Sequence, residues 1–119
     1  MKTLKVPTQT LAAAGSDTIT IVPVQVLHEI EFTAPDGRTF PVAVTVSPGY
    51  GCLFATLTEP RTGRYLLDRF APVKNMTLRR AIHALACFLH AHDPTQVADQ
   101  IERSWRELPW LNPPRDDHA

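Results

Sequence analysis

From Asp17 to Thr33 apolar and polar side chains alternate with a period of two. Val22, Val24, Val26, His28, Ile30 and Phe32 fall to one side and Gln25, Glu29 and Glu31 to the other, with Leu27 out of pattern. In a stretch rich in Ile, Val and Thr, that period predicts a half-buried strand. Pro23 lacks an amide donor and fits an edge or a bulge; Ile19 and Ile21 are out of phase with the valines that follow. Ala34-Pro35-Asp36-Gly37-Arg38 predicts a turn, because proline presets φ and Asp-Gly tolerates positive φ. Thr39 to Ser47 alternates again through Phe40, Val42, Val44 and Val46, so the two strands predict a hairpin. Ser47 to Gly51 interrupts, and Cys52 to Thr58 resumes with Leu53, Ala55 and Leu57 on one side. After a second turn, Glu59 to Arg64, a short strand over Tyr65 to Phe70 completes a four-stranded antiparallel meander. Residues 1–17 read as an N-terminal arm in which Leu4 to Val6 can add a short edge strand.

At Thr77 the period changes to that of a helix. Through His92, residues Leu78, Ile82, Leu85 and Leu89 share one face, with Ala81, Ala86 and Phe88 at its margins. Arg79, Arg80, His83, Cys87 and His90 share the opposite face. Thr77 or Asn75 supplies the N-cap. Asp93-Pro94-Thr95-Gln96 opens a second helix, with an Asp cap and proline at the first helical position. Its apolar face is Val97, Ile101, Trp105 and Leu108, and Pro109 stops it. A sheet needs its apolar face covered, and these helices are the material that can cover it. The expected fold is α+β: a four-stranded antiparallel β-meander covered on one face by a C-terminal helical hairpin, ββββαα. The domain runs over residues 18–109, and residues 110–119 form a tail.

A chain of 119 residues predicts one domain with a real core. Its net charge of zero argues against indiscriminate attachment to nucleic acid or membrane. The distribution says more. Residues 1–59 carry three basic and five acidic side chains, residues 60–92 six and one, and residues 93–119 three and six. The middle segment is therefore locally basic. The two cysteines, Cys52 and Cys87, do not make a disulfide framework, and no long apolar run predicts a membrane span or secretory signal. The cytoplasm is the expected compartment.

Four constellations can carry chemistry. His83, Cys87 and His90 sit at helical spacing with zinc-ligand chemistry, and Cys52, His92 or Asp93 can supply a fourth donor. No paired Cys-x-x-Cys accompanies them, so no metal site is expected. Cys87 beside His83 or His90, near Arg79 and Arg80, resembles a thiol nucleophile pair, but no orienting group or oxyanion donor is legible. Arg61, Arg64, Arg69, Lys74, Arg79 and Arg80, interleaved with Tyr50, Phe54 and Tyr65, suit a single-stranded nucleic acid. The Arg79/Arg80/His83/Cys87/His90 face, an open sheet edge and Trp110 in the proline-flanked tail suit a protein partner. Glu29 and Glu31 read as a solvated strand face, and His28, in the valine stripe, as a core or rim residue.

The leading expectation is a small non-catalytic protein-binding module, an adaptor or inhibitor without cofactor, forming a homodimer. The alternatives are a single-stranded nucleic-acid binder using the basic 61–80 region, and a metal- or thiol-dependent enzyme using the His83/Cys87/His90 face.

Overall fold

The structure, a computed structural model, describes residues 2–11, 17–49, 52–72 and 77–113. For residues 8–11, 17–19, 47–49, 52–53 and 68–72 it describes the backbone alone. The chain is α+β. Five strands, β1 (Thr3–Leu11), β2 (Asp17–Thr33), β3 (Thr39–Gly49), β4 (Cys52–Thr58) and β5 (Tyr65–Pro72), precede α1 (Leu78–Ala91) and α2 (Pro94–Glu107). The strands form one antiparallel sheet in chain order. Among the described residues no helix is long and apolar enough to cross a membrane.

The N-terminal arm is a full strand, and the meander has five members instead of four. The reason lies in the length of β2. Its first half, Asp17 to Gln25, pairs with β1, and its second half, Gln25 to Thr33, pairs with β3. Between Val26 and His28 the register shifts, leaving Leu27 as an extra residue. Such a bulge reverses which side the following residues face. The single apolar stripe expected along β2 is therefore two stripes. Val22, Val24 and Val26 join Leu4, Val6 and Ala43 on one face. Ile30 and Phe32, with Leu27 itself, join Phe40, Val42, Val44, Ala55, Leu57 and Leu66 on the other.

The helices cover the second face. Ala81, Leu85 and Leu89 of α1 and Val97, Ala98 and Ile101 of α2 complete that core. Leu78, expected among them, is 44% exposed. Burial on α1 begins at Ala81, so the first turn projects beyond the covered surface. The cap of α2 is as expected: the Asp93 carboxylate accepts from the Thr95 amide at 3.0 Å, and Pro94 opens the helix.

The face away from the helices is also buried. Thr45, Thr56 and Thr58 are fully buried there, with Ala43 beside them, and Thr45 and Thr58 share a hydroxyl–hydroxyl bond of 2.9 Å. The sheet covers this side by curling on itself, and small side chains on the inside permit the curvature. Its edges meet where the β4–β5 turn touches β1. Gly63 has φ +76°, and a β-carbon there would press on the Lys5 carbonyl oxygen and lie 2.9 Å from Val6 Cα. Glycine is required twice over, by backbone conformation and by space. Asn112 seals the junction. Its Oδ1 accepts from Lys5 N at 2.9 Å, and its Nδ2 donates to Lys5 O at 2.8 Å and Pro60 O at 2.9 Å.

The turn itself is built on a buried carboxylate. Glu59 accepts from the Arg61 amide at 2.7 Å and from the Thr62 amide and hydroxyl at 2.8 and 2.9 Å. These three donors replace water around a charge that is otherwise costly to bury.

Two glycines with positive φ make a controlled comparison. Gly37 (φ +91°) has open space where a β-carbon would be, whereas Gly63 does not. Gly37→Ala is expected to cost about 1–2 kcal/mol, from backbone conformation alone. Gly63→Ala is expected to cost about 3 kcal/mol or more, because the sheet edges must part. Urea unfolding of both variants checks the difference. In the β2–β3 turn, the Arg38 amide and guanidinium hold the Asp36 carboxyl below its ordinary 3.8. Its small contribution to stability is complete above that value and is lost as pH falls through the lower native one. An NMR titration should place the Asp36 midpoint below 3.8.

Candidate functional site

Helix α1 is anchored by Leu85 and Leu89, which turns the residues half a revolution away to solvent. Thr77 caps it, its hydroxyl accepting from the Arg80 amide at 3.2 Å. The first turn carries no acidic residue but holds Arg79 and Arg80, cations at the end of the helix where the dipole disfavours them. Arg79, Arg80, His83, Cys87 and His90 are all exposed. The periodicity therefore placed this face correctly.

Two arrangements on that face go beyond shared exposure. The first is a contact: Cys87 Sγ lies 3.5 Å from His83 Nε2, one helical turn apart. Cys87 is a free cysteine. His90 shares the face, yet among the described residues no three His, Cys, Asp or Glu side chains converge as metal ligands. His92 stands apart from this pair, its ring 5.8 Å from that of Phe88.

The second is a cleft. Arg79, Arg80 and His83 form one wall of an open depression of about 610 Å³, His28 of β2 contributes to its lining, and Thr77, Ile82 and Ala86 complete it. Among the described residues no carboxylate lines it. His28, read from the sequence as a core or rim residue, lines this candidate cleft. The bulge at Leu27 turns it onto the helix-covered side, opposite Val44, where it remains exposed beside α1. A polar residue interrupting an apolar stripe was the available signal.

Arg61 and Arg64 of the basic middle segment lie apart from this cleft. Arg61 and Arg64 precede β5, whereas Arg79 and Arg80 follow it, and that strand's eight residues span about 25 Å. The Arg61 guanidinium stacks on two rings, 4.2 Å from the Trp105 centroid and 5.0 Å from that of Trp110. Arg64 is half-buried in the turn that Glu59 organises. Arg69 lies in β5, described by its backbone alone, and Lys74 lies outside the described residues.

Trp110 docks on its own chain. Its Nε1 donates to the Trp105 carbonyl at 3.0 Å and its ring lies 6.2 Å from that of Trp105, while 41% of the residue stays exposed. It ends a ladder of rings from Phe32 through Phe40 and Trp105. Among Cys52, Tyr50 and Asp68, the first and last are described by backbone alone and Tyr50 lies outside the described residues.

The two sides of α1 are expected to respond oppositely to truncation. Leu85→Ala removes a side chain that is 1% exposed and should cost about 2–5 kcal/mol. Arg80→Ala should change stability by no more than about 0.5 kcal/mol. Denaturant unfolding followed by circular dichroism measures both.

Comparison with known proteins found no matching family model, no matching curated protein and no matching solved structure.

Proposed function

We propose that this chain is a small non-catalytic protein-binding module, an adaptor or inhibitor, whose α1–β2 cleft receives an acidic segment of a protein partner. One observation carries the reading. Two guanidiniums and two imidazoles, from Arg79, Arg80, His83 and His28, border an apolar strip of Ile82 and Ala86, with no carboxylate among the described lining residues. Arginine pairs with carboxylates through paired N–H donors, and the apolar strip offers burial to one neighbouring side chain of the same segment.

The division of the basic region supports a short acidic ligand over a nucleic acid. A single strand presents a phosphate at every nucleotide and calls for cations along a continuous track. Arg61 is instead held against Trp105 and Trp110, in the turn that precedes β5, whereas Arg79 and Arg80 follow that strand.

Fluorescence anisotropy with a labelled decapeptide alternating glutamate and leucine tests the proposal. Binding should weaken with salt, and the Arg79→Ala/Arg80→Ala double variant should lose about tenfold or more in affinity. A lysine–leucine counterpart should not bind. Equal binding by the double variant, or tighter binding of a labelled oligothymidylate, would overturn the reading.

A further inference from the structure

We propose that His83 and Cys87 form half of a zinc-type metal site, which a second copy of this chain completes as a tetrahedral His2Cys2 centre between two α1 helices. The inference starts from the separation of the two donors. Zinc–sulfur and zinc–nitrogen bonds of about 2.3 and 2.0–2.1 Å at a tetrahedral angle place the donors about 3.5 Å apart. Cys87 Sγ and His83 Nε2 are in hydrogen-bonding contact at 3.5 Å. The pair thus has the bite of a chelate, held on a helix whose opposite side is anchored by Leu85 and Leu89.

The described residues of one chain do not supply the rest. Among the described residues no third His, Cys, Asp or Glu joins the pair, so a closed site needs donors from elsewhere. The position of the pair points to a second copy. α1 runs from Leu78 to Ala91, and His83 and Cys87 straddle its midpoint. In an antiparallel pairing about a two-fold axis near that midpoint, each His83–Cys87 pair meets its counterpart. Ala84 and Ala91, both exposed on α1, allow a second helix to approach closely. Arg80 lies five residues from the midpoint, so the two copies' Arg80 side chains begin about 15 Å apart along the axis instead of facing each other. Two thiolates and two neutral imidazoles balance the charge of a divalent cation. Binding converts two thiols to thiolates and releases two protons to solvent, with no change of oxidation state. Thiolate and imidazole donors in a tetrahedral arrangement favour zinc over calcium or magnesium.

The metal site shares His83 with the cleft, while Cys87 is not among the residues that line it, so Cys87 variants test the metal site separately from the docking reading. The test is titration of the full chain with zinc or cobalt(II), following molar mass by light scattering and the cobalt absorption spectrum. The expected result is saturation at one metal per two chains, a doubled mass, and thiolate-to-cobalt charge transfer with the intense bands of tetrahedral cobalt. Cys87→Ser and His83→Ala, both at exposed positions, should keep the circular dichroism spectrum and lose metal-dependent dimerisation, with affinity down at least a hundredfold. Cys52→Ser should behave as the unaltered chain, and Cys87→Ser should still bind the acidic decapeptide. Absence of binding at micromolar metal, one metal per monomer without a mass change, or a cobalt spectrum unaltered by Cys87→Ser would overturn the proposal.

Discussion

A buried carboxylate sits where this fold closes. Glu59 is fully buried at the end of β4, and three donors from Arg61 and Thr62 satisfy it. The loop they shape brings Gly63 against the backbone of β1 and places Arg61 against the rings of Trp105 and Trp110. Asn112, bonded to Lys5 and Pro60, ties the segment after α2 into the same junction. A five-stranded meander with free edges would leave one face wet. Here the first strand, the fourth turn-forming segment and the C-terminal segment are joined at one place, and the inner face stays dry. The cost of burying a charge is offset by short bonds from groups that would themselves need partners.

The second organising feature is the extra residue at Leu27. One long strand serves two neighbours, β1 with its first half and β3 with its second. The bulge between the halves lets valines before it line the inside of the curl, while Ile30 and Phe32 after it line the helix-covered side. It also sets His28 beside α1. A local irregularity in backbone pairing thereby contributes to both cores and to the cleft.

Helix α1 divides labour between its two sides. Ala81, Leu85 and Leu89 are committed to the core, which holds the helix in place. The outward side carries arginine, imidazole and thiol groups that no packing interaction requires. The cleft lies toward β2, and exposed Cys87 contacts His83 of its wall. Arg79 and Arg80 stand at a helix end where cations are disfavoured, which fits residues placed for a ligand instead of for the helix.

Much of this was written in local pattern. Turn chemistry at Asp36-Gly37, the cap at Asp93-Pro94, the strands from Asp17 onward and the two faces of α1 follow from side-chain chemistry and a period of two or 3.6, because each concerns residues within a few positions of one another. The outward set Arg79, Arg80, His83, Cys87 and His90 was legible for the same reason. Only the tertiary structure decided what depends on residues far apart in the chain. The contact of Gly63 with β1 spans more than fifty residues, and the bond from Asn112 to Lys5 spans 107. The bulge at Leu27 is invisible to a strict alternation, since a register shift exists only relative to a partner strand. His28 became part of the cleft, Leu78 came out into solvent and Arg61 was drawn against two tryptophans for one reason. Burial and charge pairing are properties of what a side chain meets, and that is settled when the sheet curls and the helices come down on it.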